Sequence, residues 1–264
     1  MDESVLKLSP SSASDFKNCP QLFKFRAIDK VDEPVSHAAA RGSIVHAVLE
    51  RLFAEAPERR TPERARELLL EAWADDERDD GTRPSEIHEQ DEDAWLHACA
   101  RLLDNYFKLE DPSALTAERL EWRVEHDIAD MQLRGIIDRL EIDEHGRWTL
   151  TDYKTGRVPG EAREQVAFFG LRFYALMCWR AFGVLPKSIR LVYLSDPAVL
   201  TLNPHERMLV AFERQMRALA RAIRRAVDRD DWRPRPSPFC MSCPHQSRCP
   251  AWATSASLDE RPPR

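Results

Sequence analysis

The sequence predicts an α/β fold, on three observations. Short runs of alternating apolar and polar residues between 119 and 154, and again between 188 and 202, read as strands. Longer stretches with helical periodicity lie before, between and after them. The 264 residues, 43% hydrophobic and 32% charged, suffice for one sizeable core. A single domain over 1–264 is expected, with 55–115 as a helical insertion, 234–252 as a cysteine-bearing segment and 253–264 as a frayed tail.

In chain order, SPSSASDFKNCPQLFKFRAIDK (9–30) offers Ser and Asp as N-caps to a short helix anchored by Phe16, Leu22, Phe23 and Phe25, with Cys19 inside it. Residues 38–54 read as a helix whose apolar residues surround His46. Between 55 and 115 the chain is rich in Glu, Asp, Arg and Ala, and Pro57, Pro62 and Pro84 break it. Helical periodicity there centres on Leu68 to Trp73 and Trp95 to Phe107, with a mobile segment expected near Asp75 to Glu92. RLEWRVEHDI (119–128), MQLRGIIDRLEID (131–143) and RWTLTDYK (147–154) read as strands. A helix over 159–182, strands over 188–195 and 198–202, and a long amphipathic helix over 204–229 follow. Pro234, Pro236 and Pro238 then end regular structure.

The net charge of -6 argues against a bulk nucleic-acid coat, although local basic stripes remain open. Only seven of the 39 cationic residues are Lys, and the Arg excess fits either phosphate recognition or a GC-rich genome. No apolar leader follows Met1 and no apolar run approaches membrane-spanning length, so a soluble, cytoplasmic protein with no membrane partner is expected. The six cysteines are then available for metal rather than for disulfides.

Residues 135–156, GIIDRLEIDEHGRWTLTDYKTG, set charges into apolar runs. Residues two apart in a strand share a face. Ile136, Asp138, Leu140 and Ile142 therefore point one way, and Trp148, Leu150, Asp152 and Lys154 line one face of the next strand. With 143–147 as the loop, antiparallel pairing sets Ile142 opposite Trp148, Leu140 opposite Leu150 and Asp138 opposite Asp152; a one-residue slip would mismatch the faces. Two opposed carboxylates repel unless a cation sits between them. A hard divalent ion with oxygen ligands, Lys154 beside it, is one reading; a solvated charged sheet is the other. Glu121 in RLEWRV alternates away from Leu120, Trp122 and Val124 and reads as a solvent-facing strand residue.

Asp138 followed by Asp152-Tyr153-Lys154, with Gly42 and His46 in RGSIVHAVLE upstream, resembles the PD-(D/E)XK nuclease superfamily, specifically its RecB-like branch. The resemblance runs from SPSSASDFKNCP to CPHQSRCP. It implies a restriction-endonuclease-like core, a mixed central sheet flanked by helices. It also implies Mg2+ or Mn2+ held by His46, through a neutral ring nitrogen, with Asp138, Asp152 and the Tyr153 carbonyl, while Lys154 orients the attacking water or neutralises the oxyanion. Asp138, Asp152 and Lys154 are the catalytic residues on this reading. One departure stands out: the branch's Q-x-x-x-Y motif retains Tyr174, but Gly170 replaces the Gln, and Gln165 lies further up the helix. Tyr174 reads as a DNA-contacting or a packing residue.

Cys240, Cys243 and Cys249 form C-x2-C-x5-C and need a fourth ligand, for which His245 is nearby. Four thiolates suit zinc or an iron–sulfur cubane. Resemblance to RecB-like iron–sulfur nucleases, with one early and three late cysteines, points to Cys19 and a 4Fe-4S cluster, closing 234–252 onto the N-terminal helix. Zn2+ at the cysteine site is the alternative. Cys99 and Cys178 read as small core residues.

On the 204–229 helix, Phe212, Met216, Leu219, Ile223 and Val227 make an apolar stripe. Arg214, Arg217, Arg221, Arg224 and Arg225 make a basic one that either tracks DNA phosphates or meets water. The resemblance implies a metal-dependent deoxyribonuclease, of exonuclease type, in recombination or repair. Its partners would be DNA, single-stranded or with free ends, and a separate helicase, since no G-x-x-x-x-G-K-[ST] loop is present. A CRISPR-associated adaptation nuclease shares the same motifs. A non-catalytic iron–sulfur DNA-binding subunit of a helicase–nuclease complex is the rival of another class, supported by Gly170.

Overall fold

The structure, a computed structural model, describes residues 5–76, 89–160 and 164–252. The tail 253–264 and most of the stretch from Asp75 to Glu92 lie outside them. In order the elements are β1 (Leu6–Leu8), α1 (Pro10–Asn18), α2 (Pro20–Phe23), α3 (His37–Ala54), α4 (Pro62–Asp76), α5 (Glu89–Leu109), β2 (Arg119–Ile128), β3 (Met131–Ile142), β4 (Trp148–Lys154), α6 (Glu164–Phe182), β5 (Ser188–Tyr193), β6 (Ala198–Leu202) and α7 (Glu206–Arg229).

The strands form one mixed sheet in the order β1-β3-β4-β5-β6, with β2 also on β3. β3 and β4 pair antiparallel, with Leu140 opposite Leu150 and Ile142 opposite Trp148, the register the hydrophobic pattern dictates. β4 and β5 run parallel, Asp152 facing Leu191 and Lys154 facing Tyr193, so the crossover α6 joins them.

Two compact units are distinguished: Met1–Glu33 with Asp127–Arg134 and Val210–Arg264, and Pro34–His126 with Gly135–Leu209. In the second, α3, α4 and α5 close a core around Val45, Val48, Leu49, Leu69, Trp73, Cys99, Leu103 and Tyr106, into which Val192 and Leu194 of the β5 end also pack. The acidic, Arg-rich stretch after residue 55 thus earns its helices by burying one apolar face. Ser36 caps α3 by accepting from the Ala39 N–H at 3.2 Å.

In the first unit, Ser9 and Ser12 form a capping box and Pro10 takes the first position of α1. Cys19 is not inside a helix: it stands in an extended break between α1 and α2, at φ -157 and ψ 110. Pro20 explains this, because it disfavours helical geometry in the residue before it. The strand β1, which Leu-Lys-Leu was too short to signal, pairs parallel with Met131 to Leu133. On α7, Phe212, Met216 and Ile223 are buried, but Val227 is 52% exposed, and Ala220 and Ala226 complete the apolar face instead.

Candidate metal centre

The β3–β4 ladder ends at Arg139 opposite Thr151, and there the Asp138 carboxylate takes over from the backbone. Its Oδ2 accepts the Tyr153 N–H at 2.6 Å. That bond satisfies a buried donor and fixes the carboxylate inward. Asp138 and Asp152 are 7% and 6% exposed. Ile136 and Ile142, on the Asp138 side of β3, are 40% and 38% exposed, so that face is sealed only around Leu140 and Leu150.

α3 brings His46 to the pair. Nδ1 lies 3.5 Å from Asp138 Oδ2 and Nε2 donates to the Tyr153 carbonyl at 3.1 Å. Gly42, one turn earlier, lies against the residue that follows β4: a Cβ built there would meet Thr155 Oγ1 at 3.4 Å, an ordinary contact.

Glu121 is the member that alternation concealed. Its Oε1 lies 3.8 Å from His46 Nδ1. Among the described residues, His46, Glu121 and Asp138 are the one group of three or more His, Cys, Asp or Glu side chains whose ligand atoms all lie within 4.8 Å of one another. Glu121 adopts φ 42, a left-handed conformation within β2 that breaks the strict two-residue repeat. The only hint in the sequence is a carboxylate at the start of a strand adjoining the Asp138 strand.

The electrostatics are those of anions held together by protons. Burial opposes a charge on His46, yet Asp138, Glu121 and Asp152 outweigh it and raise the imidazole to about 10. Burial likewise pushes the Asp152 carboxyl up, against the pull of Lys154. Lys154 and Asp152 form an ion pair, in which Asp152 and then Asp138 keep the ammonium charged despite its desolvation. Imidazolium and ammonium thus supply the positive charge a divalent ion would carry. Carboxylates, an imidazole and a carbonyl are donors suited to Mg2+ or Mn2+, so the residues fit such an ion, with Glu121 added to the expected ligands and Asp152 bound to Lys154.

On the other face of the sheet, Arg139 is fully buried and donates to the Tyr153 hydroxyl at 2.6 Å and to both Glu110 oxygens at 2.9 and 3.1 Å. This network pins the side chain of the residue whose carbonyl meets His46.

Tyr174 of α6 packs against β3: a Cβ on Gly135 would come within 2.8 Å of its ring. Burial first, then Asp152, Asp138 and Glu121, raise its phenol well above the usual range. Nothing stands within 4 Å of a Cβ built on Gly170, and the side chain of Gln165 lies outside the described residues.

In the first unit, Cys19, Cys240, Cys243 and Cys249 line one cavity of about 490 Å³. The Arg235 N–H donates to Cys19 Sγ at 3.4 Å and the Ser237 N–H to Cys240 Sγ at 3.3 Å. His245 is buried, its Nε2 2.7 Å from Glu33, so that ring nitrogen is already committed. Cys99 and Cys178 are buried among apolar side chains, and burial pushes both thiols up to about 12. Of the α7 arginines, Arg217 is paired with Glu213 and Arg224 with Asp130, whereas Arg214 and Arg221 are exposed.

The sequence profile of the PD-(D/E)XK nuclease superfamily matches residues 7–250. No curated protein matches the chain. Among solved structures, the crystal structure of a "Putative exonuclease" from Eubacterium rectale aligns over 98% of this chain and 89% of its own, with a TM-score of 0.56 and 11% identity, a likeness of fold. The crystal structure of SSO0001 aligns over 95% and 88%, at 14% identity and a TM-score of 0.45, too low to carry an argument.

Proposed function

The chain belongs to the PD-(D/E)XK nuclease superfamily, and from that membership we propose that it is a metal-dependent deoxyribonuclease of the RecB-like branch, acting as an exonuclease on DNA ends in recombination or repair. The observation that carries this reading is the convergence of His46, Glu121 and Asp138 beside the ion-paired Asp152 and Lys154.

When bound, Mg2+ or Mn2+ supplies Lewis acidity and charge compensation at the phosphodiester. Asp138, Asp152 and Glu121 would hold it, and His46 would do so after giving up its proton. The Tyr153 carbonyl, which accepts from His46, lies on the same side. Lys154, its side chain 45% exposed, presents an ammonium to the developing charge on the phosphate oxygens, held in place by Asp152.

We infer further that Cys19, Cys240, Cys243 and Cys249 hold a 4Fe-4S cluster. All four thiols line one cavity and backbone N–H groups reach two of the sulfurs, an arrangement that zinc or a cubane could both use; the pattern of one early and three late cysteines is what favours the cluster. Its role is structural. Anaerobic purification tests it: a brown protein with about four irons is expected, and a colourless one with a single zinc sinks it.

Activity is tested with end-labelled single- and double-stranded DNA in Mg2+ or Mn2+. The wild type should release nucleotides or short products from an end, and Lys154→Ala should lose at least ~100-fold in rate. Equal absence of cleavage for both proteins under every metal condition would end the enzyme reading.

A further inference from the structure

A second cavity, about 440 Å³, opens where α3, α5 and the C-terminal ends of parallel β4 and β5 meet. Ligands of open α/β sheets gather at strand ends of this kind. Its walls carry three cations, Arg41, Arg101 and Lys108, and the hydroxyls of Thr155 and Ser195. The one acid in the lining, Asp104, is already neutralised by Arg66 at 2.7 Å. Asn105 ties the wall together, donating to the Leu194 carbonyl at 2.8 Å and accepting from Lys108 at 2.7 Å. Arg41 and Arg101 have no acidic partner among the described residues. Unpaired arginines in a concave lining, with hydroxyl donors between them, are equipment for a phosphate rather than a solvated helix face.

The placement ties the cavity to the metal centre. Thr155 directly follows Lys154, and Arg41 lies five residues before His46 on α3, next to Gly42, which abuts Thr155. Resting on the deoxyribonuclease reading, we infer that this cavity binds a phosphate of the same DNA strand whose phosphodiester occupies the metal centre. The phosphate is either an internal diester or a terminal monoester. Arg41 and Arg101 are its principal ligands, and they set the register in which the strand is presented to Lys154.

Binding of labelled single-stranded oligonucleotides, with a 5′-phosphate or a 5′-hydroxyl, is measured in EDTA, where metal-dependent cleavage is off. Arg41→Gln/Arg101→Gln should weaken binding about 10-fold or more and lower the slope of log K against log salt by about 1. Arg59→Gln, on a remote and exposed ion pair, should change neither. A loss confined to the 5′-phosphorylated strand identifies the terminal group, and a loss for both identifies an internal diester. If the double variant binds both strands like wild type, or if Arg59→Gln loses as much, the assignment is wrong. Should the double variant fold poorly, Arg101→Gln alone, at an exposed helix position, answers the same question. Wild-type cleavage with Mg2+ is scored separately. Cleavage without any effect of the arginine changes removes the phosphate site alone, whereas an arginine effect without cleavage removes the nuclease reading alone.

Discussion

Replacing Asp138 by Asn keeps an oxygen to accept the Tyr153 N–H but removes the largest anionic support of the His46 imidazolium, so the metal-free protein should melt at a lower temperature at pH 7. The same change should abolish any rise in Tm on adding Mn2+, which thermal melts with and without the ion report. Glu121→Gln should weaken Mn2+ binding in calorimetry with little effect on the metal-free melt; unchanged affinity would return Glu121 to the solvent-facing role its alternation suggested. His46 gives the centre a pH dependence of defined sign. Its folded pKa, raised to about 10, exceeds the unfolded value near ~6.5. The stabilisation is therefore complete below ~6.5 in metal-free protein and is lost as pH rises through about 10. A metal ligand must shed that proton, so Mn2+ affinity should climb between pH 7 and 9 with release of about one proton, read by titration in buffers of different ionisation enthalpy.

The β3–β4 hairpin shows how much of this site was legible beforehand and why. Its register followed from pairing apolar faces, since a slip by one residue would expose Leu140 and Leu150. The charges left on those faces could be read as a site for that reason. Glu121 could not, because a local left-handed residue in β2 leaves no trace in an alternation pattern. Pro20 announces the break at Cys19, although the apolar anchors on either side share the pattern of one helix. Two glycines, Gly170 on α6 and Gly135 on β3, offer opposite tests. Gly170 has open space at its Cβ, so Gly170→Ala should stabilise by about 0.5–1 kcal/mol through helix propensity and unfolded-state entropy. Gly135 faces the Tyr174 ring, so Gly135→Ala should displace the ring and lower stability, seen as an altered tyrosine fluorescence or chemical shift together with a lower Tm. Arg139 belongs to the same hairpin, and Arg139→Ala should lower the Tm: the buried Tyr153 hydroxyl loses its donor, and the Glu110 carboxylate keeps only Arg190 as a cationic partner.

Over the whole chain, the sequence places function in separate pieces: carboxylates in strands, an imidazole on a helix, and four cysteines near opposite termini. The proposed cluster joins Cys19 to Cys240 and so closes a very long loop, a constraint worth on the order of 5 kcal/mol on a loop-entropy basis. Cys243→Ser should therefore lose iron and lower the melting temperature of the unit built from the chain ends, while the His46, Glu121 and Asp138 group, in the other unit, keeps its Mn2+ affinity. No helix among the described residues is long and apolar enough to cross a membrane. The most direct measurement is anomalous diffraction from crystals soaked in Mn2+. The account requires a peak about 2–2.5 Å from atoms of Asp138, Glu121 and His46; full-occupancy Mn2+ bound only elsewhere, with His46 still joined to Asp138, would contradict it.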